Sequence, residues 1–404
     1  MSSKPSRTPS RKDADIVIVG GGIYGVMLAL EAGRAGLRAR VLERATVGGA
    51  TSANWFRILH GGFRYLQSLD VVRTRESSAE RRWFLEFAPD LVQPFSFMLP
   101  LYGGGLKRPF FLRMAFLLER ILTPGRNRGL SPGARLAPGR TLTAAQTAEI
   151  YPDVRREGLL GAAVWQDAVA LDDEALMARL RAAAEDLGAV FEEQTPALDL
   201  QVTDGRVEGV MAGGAEPGLR RAPVVINAAG PWSDGIAERF GSPASELFSP
   251  TLAFNLLIDR PPLARTGLAV AGPAPDAPML FLIPLGQQTL AGTWHVEWNA
   301  EDREARVADT DVDAFLAALA NATPTLGATK NDVLEILPGL QPLAHGSTTT
   351  VSDRPLTIDH ADRGGPKGFF SVSGVKYTTA RLVAENLLRE IGEKGFLAGD
   401  RGRG

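Results

Sequence analysis

The sequence predicts an α/β protein of two domains, one discontinuous and built on a parallel sheet, the other a mixed β-sheet plus helix. Three observations predict it. A strand–glycine turn–helix–strand unit lies near the start, within Asp15–Glu43. Short apolar strands of the same kind recur far along the chain, near residues 224 and 369. Between them, residues 250–350 alternate apolar and polar in the β manner.

The first unit reads DIVIVGGGIYGVMLALEAGRAGLRARVLE. Ile16–Val19 is a β-branched run suited to a buried parallel strand. Gly20, Gly22 and Gly25 fill the glycine positions of GxGxxG. The first permits a tight turn, the second lets backbone N–H groups approach a pyrophosphate, and the third lets the helix pack closely on the sheet. The positive end of the helix faces those phosphates. Glu43 ends the next strand, where a carboxylate accepts both ribose hydroxyls. Strand, turn, helix and acid in this order specify a Rossmann-like dinucleotide site rather than a purely structural glycine turn.

The remaining elements follow in order. Val47–Asn54 is a small-residue loop, and Asp70–Phe87 has helical periodicity. Leu106–Leu122 is a partly amphipathic helix carrying Lys107, Arg108, Arg113 and Arg120. Thr123–Arg140, rich in Pro, Gly and Arg, reads as an exposed loop. Asp172–Leu187 is a helix whose first acids, Asp172 and Asp173, suit the dipole; with Asp167 they resemble a metal cluster only superficially. A strand at Ala189–Phe191 and a meander through Val202–Val210, turning at Asp204–Gly205, come next. Val224–Gly230 is a parallel-type strand ending in small residues, and Ala253–Ile258 and Met279–Thr293 alternate. A helix at Asp311–Ala320, a strand at Phe369–Val372 and a helix at Thr378–Ile391 complete the reading.

Composition narrows the function. At 404 residues, two domains are the natural expectation, and 45% hydrophobic with 22% charged residues is ordinary for a globular chain. A formal charge of −2 gives no reason to invoke nucleic acid. The chain has no cysteine, which excludes disulfides, thiolate metal sites and cysteine nucleophiles. The four histidines, His60, His295, His345 and His360, have no metal-ligand spacing, so no metal is expected. The first fourteen residues are polar and basic without an apolar core, and read as a disordered leader rather than a secretory signal. No run of eighteen apolar residues exists, and the default compartment is cytoplasmic.

The set GGGIYG, HGGFRYLQ, KRPFFLRMAFLLERIL, VINAAGPWSD and GFFSVSGVKYTTARLVAENL resembles the FAD-dependent glycerol-3-phosphate dehydrogenases, within the wider D-amino-acid-oxidase-like flavoproteins. The likeness runs from about residue 14 to about residue 392; the family typically continues into a C-terminal helical domain, whereas this sequence runs to Gly404. The implied cofactor is FAD. The resemblance implies that Gly20, Gly22, Gly25 and Glu43 hold its ADP half. It implies that Thr51 and Ser52 reach the phosphates or flavin, and that Ala228, Ala229 and Gly230 let the backbone pass close to it. Gly374, with Thr378 and the start of the last helix, would face the flavin pyrimidine edge. His60 would either pack beside the flavin or attach it covalently. The organisation implied is a leader over 1–13, an FAD-binding domain of 14–85 with 150–245 and 351–395, a substrate domain of 86–149 with 246–350, and a tail over 396–404.

The resemblance also implies substrate residues. HGG-x-RY would supply Arg64 and Tyr65 at the flavin; Arg354 and Lys376 sit at the separation of the family's second arginine and lysine. Two positions depart from the pattern. Gln341 stands where the family has an arginine, removing one guanidinium fork from a phosphate site, and Asn255 stands at a histidine position. A base would then be His60, His295, Lys376 or water. The expected function is oxidation of a CH–OH group of a small polyol or hydroxylated metabolite, phosphorylated or not, by hydride transfer to flavin N5. The alternative is an FAD-dependent amine or amino-acid oxidase of the same superfamily. The electron acceptor, quinone or O2, stays open. So does the role of residues 107–122, which suit either a peripheral membrane contact or a helix docked on the substrate domain.

Overall fold

The computed structural model describes residues 13–397 except 64, 66–68, 104–107, 243–246, 275–276, 299–303, 345–346 and 348–350. The expectations for the leader, Lys107, Arg64 and His345 therefore fall outside the described residues.

Three sheets organise the described chain. In the first, strands run in the order Leu356–Asp359, Phe369–Ser373, Val224–Asn227, Ile16–Val19, Ala39–Leu42 and Val190–Glu192. Ile16 pairs with Val224 on one side and Ala39 on the other, both parallel; only the Leu356–Asp359 edge is antiparallel. Strands with no polar residue belong in such a position, covered on both faces. Ile16, Val17 and Ile18 are fully buried. Helices Ile23–Arg34, Asp173–Asp186 and Ala380–Glu393 cover one face through Met27, Leu180, Leu387 and Ile391. Pieces from the start, middle and end of the chain thus build one sheet, because parallel strands need long crossovers.

A small antiparallel sheet of Ala197–Thr203, Arg206–Ala212 and Gly218–Arg221 packs on the opposite face through Leu200, Val207 and Val210. It is pinned by charge. The buried Arg220 donates from Nε and Nη2 to Glu192 at 2.9 and 2.6 Å, and Arg40 also pairs with Glu192.

The third sheet holds nine strands, with Pro250–Ile258, Gln288–Val296 and Leu280–Leu285 at its antiparallel centre. Two of its longest strands, Val92–Tyr102 and Leu159–Ala170, have no clear sequence signature. The first contains Pro94 and Pro100, which argue against a central strand. They are tolerated because its second neighbour, Gly267–Val270, pairs only at Phe97 and Met98. Val224–Gly230 is shorter than its sequence suggests: the strand ends at Asn227 and Gly230 turns with φ +56°.

Helix Pro109–Leu122 docks chiefly through Phe116, which stacks on Phe63 at 4.8 Å. Phe110, Phe111, Met114, Leu117 and Ile121 remain exposed, Phe110 and Ile121 each at 64%. No helix among the described residues is long and apolar enough to cross a membrane.

Candidate active site

A cavity of about 2020 Å³ is lined by residues of both large sheets. Sites for drug-sized ligands run to roughly 1,000 Å³, so this space admits a dinucleotide and a small substrate together.

One end is a backbone cradle. Gly20 has φ +104°, and a Cβ there would lie 2.7 Å from Ala228 O. A Cβ on Gly25 would lie 1.9 Å from Gly20 O, so helix and turn touch with no room for a side chain. Helix Ile23–Arg34 begins with no side-chain cap across its own start and no acid in its first turn, leaving its positive end open to an anion. Ser52 Oγ accepts from Ile23 N at 3.0 Å, and Gly22 faces that hydroxyl. Glu43 accepts from Gly21 N at 2.7 Å and from Ala45 N at 2.8 Å, which aims its carboxylate across the turn. Gly20, Gly22, Glu43, Thr51 and Ser52 all line the cavity; Gly25 packs behind it.

The facing turn, Ala228–Gly230, is held by buried hydrogen bonds. Asn227 donates to Ser371 Oγ at 3.1 Å and Ser233 O at 2.8 Å, and its Oδ1 accepts from Ala229 N at 3.2 Å. Ser371 in turn meets His360 Nε2 at 2.7 Å, and His360 Nδ1 meets Ser242 Oγ at 2.6 Å. Gly374 lines the cavity as well, but a Cβ there would fall 1.7 Å from the Tyr24 ring. Its glycine is therefore demanded first by Tyr24, whose hydroxyl donates to Lys376 O at 3.2 Å.

Beyond the cradle the wall turns chemical. His60 lines the cavity with a half-exposed ring, and its backbone N–H donates to Thr378 Oγ1 at 3.1 Å. Behind it lies Asp167, which sequence reasoning set aside as structural. Its carboxylate accepts from Gly61 N at 2.6 Å, Arg81 Nη1 at 2.6 Å and Trp165 Nε1 at 3.1 Å, and faces His60 Nδ1 at 3.4 Å. Burial pushes its pKa up, but the bonds from His60 and Gly61 and the Arg81 charge outweigh it and hold the carboxyl well below the usual range. An ionised carboxylate only accepts, so Nδ1 is the nitrogen of His60 that can donate to it, and Nε2 is the one turned elsewhere.

Tyr65 and Lys376 also meet here, with Lys376 Nζ 4.3 Å from the Tyr65 ring centre. Asn255 lines the far wall; it donates to Asn54 O at 3.0 Å and accepts from Thr293 Oγ1 at 2.9 Å. Gln341 and His295 line it too, and burial lowers the pKa of His295. Arg354 is the exception: it is exposed and outside the lining. Among the described residues, the arginine at this wall is Arg73, from the first turn of helix Val71–Phe87, 4.6 Å from the Tyr65 ring. No spacing marks Arg73 in the sequence; only helix placement brings it to the cavity.

A glycine cradle at the ends of parallel strands, with a helix N-terminus facing it, is the arrangement of the dinucleotide-binding proteins as a class. The chain belongs to the FAD dependent oxidoreductase family, whose pattern matches residues 15–388. It is 30% identical over 386 residues to glycerol-3-phosphate dehydrogenase 2 of Mycobacterium tuberculosis, covering 93% of this chain and 62% of that protein. It is 30% identical over 354 residues to the alpha-glycerophosphate oxidase of Streptococcus pyogenes, covering 84% of this chain and 55% of that one. The fold matches the glycerol-3-phosphate dehydrogenase of Bacillus halodurans complexed with FAD, with a TM-score of 0.73 and 24% identity over 97% of this chain and 67% of that one. The chain thus spans less than two thirds of the length of these curated relatives. Its cofactor is FAD, and the open helix end and glycine contacts of the cradle fit that group.

Proposed function

We propose that this chain is an FAD-dependent dehydrogenase that oxidises a CH–OH group of a small hydroxylated metabolite, as the names of its relatives suggest. The observation that carries the reading is the His60–Asp167 pair inside the cavity of a flavoprotein fold. Alcohol oxidation needs a hydride acceptor and a base for the hydroxyl proton. The bound flavin supplies the first. His60 Nε2 takes the proton, and Asp167 orients the ring and stabilises the imidazolium that forms. Asn255, with both ends of its amide bonded, is a fixed wall rather than a base. Gly20, Gly22, Glu43 and Ser52 would hold the ADP half; Ala229, Gly230 and Thr378 would flank the flavin. Lys376 and Tyr65 would orient substrate.

The test is anaerobic titration of the FAD-loaded protein with glycerol 3-phosphate, a panel of unphosphorylated polyols, and amines or amino acids. Bleaching of the oxidised flavin band by an alcohol supports the reading. Bleaching by amines or amino acids alone replaces it with an amine oxidase. Reoxidation by O2 or by a soluble quinone then names the acceptor.

We also propose that helix Pro109–Leu122 rests on an anionic membrane surface. Its exposed Phe110, Met114, Leu117 and Ile121 are flanked by exposed Arg108, Arg113 and Arg120, a pairing of apolar area and positive charge that suits such a surface.

A further inference from the structure

We propose that this cavity selects an uncharged polyol over a phosphate monoester, and that the contact between Asp353 and Arg73 sets the choice. The inference rests on the reading of the site as an alcohol dehydrogenase.

Arg73 lines the cavity, yet its guanidinium is already engaged. Nε donates to Asp70 Oδ2 at 2.5 Å, and Nη1 donates to the carboxylate of Asp353 and to its carbonyl oxygen at 3.3 Å. A phosphate binds a guanidinium best through two parallel N–H groups on one edge. Here carboxylates occupy Nε and Nη1, so no edge containing either is left whole. Asp353 itself lines the cavity and is more than half exposed. A dianion brought to Arg73 would therefore meet a carboxylate already there, and like charges at contact distance repel.

Apart from Lys376, the described strands beside Asp353 add no positive charge. Ser352 N donates to Pro342 O at 2.8 Å, which sets Asp353 beside the strand end carrying Gln341. Gln341 is neutral. Burial lowers the pKa of His295, which keeps that ring neutral near pH 7. Arg44, another arginine of the lining, follows Glu43 and stacks over Trp232 at 4.0 Å, at the cradle end. At Arg73 itself, two carboxylates, Asp70 and Asp353, face one guanidinium. Amides, hydroxyls and an arginine held by two carboxylates recognise hydroxyl groups by hydrogen bonding and hold a phosphate less well than a free guanidinium would.

The test uses the FAD-loaded full chain and its Asp353→Asn variant, which keeps the shape and removes the charge. Calorimetric titration with inorganic phosphate and with glycerol 3-phosphate reads anion affinity directly, and anaerobic bleaching reads turnover. The expected result is bleaching of the wild type by an unphosphorylated polyol at lower concentration than by glycerol 3-phosphate. Phosphate binding should tighten about tenfold in the variant. Asp353→Ser serves as a second variant if Asp353→Asn does not fold. Wild-type preference for glycerol 3-phosphate, or unchanged phosphate affinity in both variants, overturns the proposal. If no alcohol bleaches the flavin, the dehydrogenase reading fails, while the calorimetry still decides whether Asp353 repels anions.

Discussion

Asp167 is enclosed by protein yet ionised, because Gly61, Arg81 and Trp165 give it the hydrogen bonds that water would. Its value to the site lies in the ring it orients. His60→Asn should slow anaerobic flavin reduction roughly a hundredfold or more while leaving FAD uptake intact, measured by rapid mixing. Asp167→Asn should slow it as well and shift its pH profile, and should also cost about 3 kcal/mol in thermal unfolding, since Arg81 loses its buried partner. A variant of Asp167 that lowered stability without moving the pH profile would reduce the residue to a scaffold role. Glycine 25 makes a plainer case. With a Cβ 1.9 Å from Gly20 O, Gly25→Ala must displace the helix from the turn, and FAD uptake should be lost, as a colourless purified protein would report.

At the scale of elements, the locally encoded pieces were legible and the cross-chain ones were not. The strand Ile16–Val19 and the helix Ile23–Arg34 stand where β-branched residues and glycines place them. Strand Leu159–Ala170 is an apolar run that could be helix or sheet, and only its pairing with Val92–Tyr102 along its length makes it a strand. Helix Pro109–Leu122 shows the limit of amphipathicity: a broad apolar face suits protein burial or lipid equally, and the fold buries Phe116 while leaving the outer residues exposed. If the helix rests on lipid, the wild type should co-sediment with vesicles of anionic phospholipid, and a Phe110→Glu, Ile121→Glu double variant should lose most of the bound fraction. Equal sedimentation of both proteins would refute it, and binding should weaken as salt screens Arg108, Arg113 and Arg120.

For the molecule as a whole, the cofactor turn and the sheet are coupled through His360. This residue is fully buried between Ser242 and Ser371. Burial, reinforced by Arg363 and opposed by Asp359, pushes its pKa from 6.5 down to about 4. Above pH 6.5 the ring is neutral whether folded or unfolded; below it the unfolded chain takes up the proton first. This contribution to stability should therefore decline as pH falls from about 6.5, with the loss complete near 4. Thermal midpoints across that range should fall less steeply in a His360→Asn variant than in the wild type. The cavity that would hold FAD is lined by residues from the start, middle and end of the chain, so bound FAD should raise the midpoint of the whole protein. At a free concentration a hundredfold above its dissociation constant the gain is about 2.7 kcal/mol.

The sequence by itself determined the dinucleotide cradle, since a glycine's freedom, a β-branched run and a strand-ending acid act within some thirty residues of one another. Its resemblance to the family pointed to Tyr65, Asn255, Gln341 and Lys376, which line the cavity, and to Arg354, which the fold leaves exposed. Only the tertiary structure decided which charges face the cavity. Arg73 meets Asp353 across 280 positions and His60 meets Asp167 across 107. Such pairings depend on how helices and sheets pack, and no local pattern of residues encodes them.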